Sequence, residues 1–165
     1  PDYFFRTIPG PTAEWDIARD RMNRHDIDQG LVDMSDAMDE LRAHERCNGK
    51  VAVLGFCFGG LFAYLAGTRL GADAVVAYHG TRIHSYLEEA DHLTVPASLH
   101  YGDADQFVPM DQVDPVSAAL AGKANAEVVV HSGGQHNFSM PTKAGYDAKV
   151  ADAARVAALA CFRSM

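Results

Sequence analysis

Three short segments of this chain hold residue types that could do covalent chemistry. Gly55-Phe56-Cys57-Phe58-Gly59-Gly60 sets a thiol between an apolar strand pattern and an apolar helix pattern, the arrangement of a nucleophile elbow. Side chains two positions to either side of such a bend would collide with the neighbouring strand and helix, which accounts for glycine at 55 and 59. At a helix amino terminus the dipole and the unsatisfied N–H groups would favour Cys57 as a thiolate. The backbone N–H of Phe58 would point at the oxygen of a tetrahedral intermediate. Taken alone, the segment fits equally a small buried thiol in a glycine-rich turn.

The second segment runs from Tyr101 to Pro109 and offers two carboxylates, Asp103 and Asp105, either of which could orient an imidazole; its bland alternative is a solvated pair of turn-forming aspartates. The third, Ser132 to Phe138, carries His136 behind two glycines that let the backbone swing the ring over a sheet. A lone loop histidine means little, but here it completes a set in the order nucleophile, acid, base. The 8 histidines also include the pairs His79/His84 and His131/His136, whose spacing matches no strong zinc signature. The residues call for no metal and no cofactor.

These residues need elements to position them. Four short apolar runs read as strands: Val51 to Leu54, Ala74 to Tyr78, Ala97 to Tyr101 and Glu127 to His131. Helical patterns lie between and after them, at Phe58 to Thr68, within Ser85 to Ala90, at Val113 to Leu120 and at Gly145 to Phe162. Ahead of them stand a short helix from about Ala13 and an amphipathic one from about Gln29 to Glu45. The alternation predicts an α/β fold, with a mostly parallel sheet covered by helices on both faces. In such sheets ligands bind at the carboxyl ends of the strands, where the three segments fall.

Composition narrows the partners. With 14 Lys+Arg against 22 Asp+Glu the formal net charge is −8, which argues against a nucleic-acid footprint. Three cysteines, Cys47, Cys57 and Cys161, are an odd number, so at least one thiol is free and a reducing compartment, the cytoplasm, is the simpler location. Val51 to Gly67 runs 17 residues without a charge, but its four glycines suit a buried strand and helix better than a membrane span. Residues 1–165 read as a single domain.

The chain resembles the dienelactone hydrolase (carboxymethylenebutenolidase) family of the α/β-hydrolase superfamily. The resemblance is carried by Gly55 through Gly60, the Tyr78-His79-Gly80 turn, Gly102 through Pro109 and Gly134 through Phe138. It implies the three-layer α/β-hydrolase fold, and it carries the nucleophile onto Cys57, the base onto His136 and the acid onto Asp105, which precedes Gln-Phe-Val-Pro. The implied reaction is cleavage of a carboxylic ester or lactone through a thioacyl enzyme. The alternative is a catalytically silent, hydrolase-like domain that binds a ligand or a protein.

Two departures bear on substrate. His79 stands where the family commonly has a second tyrosine beside Tyr78. Met140 stands where dienelactone hydrolases carry an arginine for the substrate carboxylate, which points instead to a neutral or apolar acyl group, with Phe4, Phe5, Trp15, Tyr78 and Phe138 as candidate walls. The chain corresponds to about the last two thirds of the family's domain, so an amino-terminal truncation is expected. The second oxyanion donor would then be absent, at about 10²–10³ in rate. The first strand would lie at an open edge through which copies could associate.

Overall fold

The computed structural model describes residues 4–6, 10, 12 and 14–165. Contacts divide the chain into two compact units, Pro1–Gly49 and Lys50–Met165.

The first unit contains α1 (Trp15–Arg24) and α2 (Ile27–Ala43). Asp26 caps α2, accepting from the Gln29 N–H, and Leu31, Met34 and Met38 recur on one buried face. Arg6 forks onto Asp33 with contacts of 2.7 and 3.0 Å. The predicted helix from about Ala13 is α1. Ala13 itself lies outside the described residues, and Trp15, which opens α1, is 47% exposed.

The second unit is an α/β fold. Its strands are β1 (Ala52–Phe56), β2 (Ala74–Tyr78), β3 (Ala97–Gly102) and β4 (Ala126–His131); its helices are α3 (Phe58–Arg69), α4 (Met110–Leu120) and α5 (Ala148–Arg163), with a 3₁₀ segment at Ile83–His92. The strands form one all-parallel sheet in the order β1-β2-β3-β4. Alternation along β2 shows how it is covered. Val75 and Ala77 face α3, where Gly67 and Gly60 allow close approach, while Ala74, Val76 and Tyr78 pack on Ala154, Ala158 and Cys161 of α5. Both faces of β2 are therefore dry, and all five of its residues are buried.

The predicted elements recur with shifted ends. β1 runs on through Gly55 and Phe56, which pair with Ala77 and Tyr78 rather than belonging to the bend. The segment predicted as helical near Ser85 is 3₁₀ and is interrupted at Tyr86 (φ −132°). α4 begins three residues before Val113 and tolerates Pro115 inside it. Among the described strands β1 is an edge, with Leu54 and Phe56 each 40% exposed. No helix among the described residues is long and apolar enough to cross a membrane.

The α5 face of the sheet carries an unusual polar row. The Ser98 hydroxyl donates to Glu127 Oε1 at 2.6 Å, His100 Nε2 meets Ser98 Oγ at 3.0 Å, and His100 Nδ1 meets His131 Nε2 at 3.2 Å. Beside it Phe56, Tyr78, His100 and His131 stack ring on ring across all four strands, with successive centroids 5.2, 5.2 and 5.4 Å apart. Burial, and His131 alongside, push His100 down to about 4, so it packs as a neutral ring.

Candidate active site

The bend after β1 holds Cys57 at φ 53°, ψ −118°, a conformation that costs an ordinary residue about 1–3 kcal/mol. Backbone bonds fix it there. The Cys57 N–H donates to Tyr78 O at the end of β2, and its carbonyl accepts from Gly60 and Thr81, each at 3.0 Å. A Cβ on Gly55 would lie 1.9 Å from the Gly59 carbonyl oxygen, so glycine is obligatory at 55. The sequence argument for Gly59 is corrected by the same geometry: a Cβ there meets nothing within 4 Å, and it is at Gly60, where a Cβ would lie 2.5 Å from the Gly80 Cα, that the close approach requires glycine. Phe58 opens α3, which places its N–H in the first helical turn beside Cys57.

The loop after β3 separates the two candidate aspartates. Asp105, whose side chain is fully buried, accepts from Phe107 N at 2.8 Å and Val108 N at 3.1 Å, and its other oxygen lies 2.7 Å from His136 Nδ1. Asp103 is exposed and accepts instead from Gly133 N at 2.6 Å, tying the β3 loop to the loop that carries His136. That loop can approach because Gly102 is bare: a Cβ on it would lie 2.0 Å from Gly134 O.

Electrostatics couple the three side chains. Burial alone would push His136 down, but side-chain hydrogen bonds with Asp105 and Cys57, and the charges of both, hold it up at about 9. Burial would push Asp105 up, yet the bonds from His136, Phe107 and Val108 keep it below the usual carboxylate range. Nδ1 of His136 is taken by Asp105, which leaves Nε2 as the ring nitrogen available to the thiol. The structure thus brings Cys57, Asp105 and His136 together from the loops after β1, β3 and β4.

The remaining sequence candidates fall in other places. Phe138 is fully buried, packed against Tyr78, His79 and His131 at centroid distances of 6.0, 5.7 and 5.3 Å, so it is a core side chain under the site. Tyr78 is buried but borders a cavity of about 320 Å³ on the α5 side, with Phe56 and Arg155. Met140 is half-buried in the turn after Phe138, and its N–H donates to Asn137 O. Phe4 packs edge-on to His25 at 5.7 Å, and Phe5 lies 4.6 Å from the Arg6 guanidinium. Of the pair His131/His136, His131 meets His100 and His136 meets Asp105.

Two features escaped the sequence. His79 is fully buried at φ 42°, with its ring 4.3 Å from that of His136 and neither ring nitrogen hydrogen-bonded among the described residues. Burial and the charge of His136 push it down to about 3. A cavity of about 540 Å³ opens beside His136, bordered by Gln106, Phe107, Gln135, Asn137 and Lys143. Phe107, 51% exposed, lies 4.9 Å from the His136 ring. Strain is legible in the sequence only at Cys57, through the elbow motif: among the described residues the non-glycine residues with positive φ are Cys57, His79, Arg82 and Asn137, and nothing local marks the other three.

Comparisons with known proteins identify the family and the fold. The profile of the Dienelactone hydrolase family matches residues 1–165. A carboxymethylenebutenolidase of Pseudomonas putida is 28% identical over 157 residues, which cover 92% of this chain and 66% of that protein. A putative carboxymethylenebutenolidase of Azospirillum brasilense is 28% identical over 169 residues, covering 99% and 73%. A crystal structure of a putative dienelactone hydrolase from Klebsiella pneumoniae superposes with a TM-score of 0.87 over all of this chain and 74% of its own, at 24% identity. The chain therefore spans about two thirds to three quarters of the length of these relatives. With the match of the family profile over its whole length and the parallel sheet that carries the bend, this chain belongs to the dienelactone hydrolase family and has its α/β-hydrolase fold.

Proposed function

We propose that this protein cleaves a carboxylic ester or lactone by covalent catalysis at Cys57. The Cys57 proton passes to His136 Nε2, and the sulfur attacks the carbonyl carbon. The C–O bond to the leaving alcohol breaks as His136 returns the proton to that oxygen, leaving a thioester on Cys57. A water molecule then gives a proton to His136 and adds to the thioester carbonyl; the C–S bond breaks and the acid leaves. Asp105 orients the imidazole and stabilises its charged form, and the Phe58 N–H receives the oxyanion.

One observation carries this reading: the His136 ring, bonded through Nδ1 to a carboxylate sealed from water, lies close enough to the thiol on the strained bend for both to raise its basicity, to about 9. An imidazole of that basicity takes up the proton that leaves Cys57 and holds it while the sulfur attacks. The relatives' names support an ester or lactone as substrate.

Labelling tests it. A chloromethyl ketone should modify Cys57 stoichiometrically, labelling should fall sharply in His136→Ala, and mass spectrometry after an activated acetate ester should find the acyl group on Cys57. Slow labelling that is indifferent to His136, with no acyl adduct, would make this a silent hydrolase-like binding domain instead.

A further inference from the structure

The cavity beside His136 joins an apolar wall to more polar side chains than a pocket for a hydrocarbon acyl group normally carries. Gln106, Gln135, Asn137 and Lys143 border it, and among the described residues none of these four side chains has a hydrogen bond or ion pair. The three primary amides together present both donors and acceptors, each amide having two N–H donors and one carbonyl acceptor, while the ammonium adds only donors. Phe107, a half-exposed ring standing against His136, supplies apolar surface together with Ala104 and Ala144.

This inventory discriminates between occupants. A hydrocarbon would strip water from three amides and an ammonium and return no hydrogen bond, at about 1–3 kcal/mol for each group left unsatisfied. A carboxylate would accept from Lys143 and from the amide N–H groups but would offer nothing to the three amide carbonyls. Hydroxyl groups do both. A ring-shaped molecule with several hydroxyls and an apolar C–H face matches the amides along its edge and Phe107 on its face.

We infer that this cavity binds the alcohol portion of the substrate, and that this alcohol is a neutral, ring-shaped polyol of the sugar class. The inference rests on the ester-hydrolase reading above for its orientation, with the ester carbonyl at Cys57 and the leaving oxygen toward His136. It differs from that reading in assigning the recognition to Phe107 and the amide groups.

The experiment needs no turnover. A methyl pyranoside is titrated into the protein while the side-chain amide NMR signals of Gln106, Gln135 and Asn137 are followed, with cyclohexanol and a methyl uronide as the apolar and anionic controls. Saturable shifts with the pyranoside, at least tenfold tighter than with cyclohexanol and weakened about tenfold in Phe107→Ala, are expected. Equal responses to cyclohexanol, or no saturation, would overturn the inference. So would a uronide that binds tenfold tighter than the pyranoside and loses that advantage in Lys143→Ala, since the site would then select an anion. The acetate esters of the pyranoside and of cyclohexanol, assayed in parallel, should differ at least tenfold in kcat/KM, and Gln106→Ala and Gln135→Ala should narrow the ratio. Pyranoside binding without hydrolysis of any ester would sink the hydrolase reading and leave this one standing. Hydrolysis of a small activated ester without pyranoside binding would do the reverse.

Discussion

The His79 ring lies 4.3 Å from the His136 ring, one imidazole wholly dry and without a hydrogen bond among the described residues, the other holding its proton between an aspartate and a thiol. A folded His79 at about 3 takes up its proton far later than an unfolded one near 6.5. The unfolded state therefore binds more protons below pH 6.5, and native stability falls as the pH drops toward 3. His79→Phe should remove part of that slope. In thermal melts between pH 7.5 and 4.5 the variant should lose fewer degrees than the parent; any misfit of the larger ring shifts all pH values alike and leaves the slope as the readout.

The alkaline side runs the other way. His136 is raised in the native state to about 9, so its contribution is complete below about 6.5 and is lost as the pH rises through 9. Denaturant titrations of the parent should show stability falling between pH 6.5 and 9, and His136→Gln should flatten that fall. Cys57→Ala should give an intermediate slope, because Asp105 remains to hold the ring.

Asp105→Asn separates support from chemistry. An asparagine oxygen can still accept from the Phe107 and Val108 N–H groups, so the turn survives. Facing His136, however, it can no longer supply a charged acceptor. Ester hydrolysis should drop by about 10³–10⁴, measured by activated-ester assay, while calorimetry shows a cooperative melt with Tm lowered at pH 7 and nearer the parent's above pH 9, where the His136 charge no longer contributes.

Two glycines of the same motif should respond oppositely. Gly55→Ala forces a methyl group against a backbone oxygen and should cost more than about 4 kcal/mol, so that little soluble protein is recovered. Gly59→Ala projects into open space on a helix and should be neutral or stabilise by up to about 1 kcal/mol, with Cys57 labelling intact. Recovery of well-folded Gly55→Ala would contradict the geometry of the bend.

What could be read from the sequence was what local pattern dictates. β2 was predicted residue for residue because alternate faces of Ala74 to Tyr78 are both apolar, while β1 was ended early because Gly55 looks like a turn residue although it still pairs with Ala77. Cys57 and His136 were legible through the glycines around them, but residue chemistry left Asp103 and Asp105 open. Resemblance favoured Asp105, and the hydrogen bonds divide the pair, one to His136 and the other to Gly133. Residue type leaves Phe138 open between core and pocket wall, and tertiary packing decides for the core. Phe107 and Lys143 escaped notice because separate loops bring them to the cavity, and no periodicity records that meeting.

The row beneath α5 has a sense of direction. Ser98 owns a single hydroxyl hydrogen and gives it to Glu127, so His100 must present an N–H to Ser98 from Nε2 and must receive one from His131 at Nδ1. Each imidazole is thereby confined to one tautomer, and a second proton on His100 would set two donors face to face. The sheet interior acts as a one-way valve for hydrogen-bond polarity, with its outlet at a carboxylate.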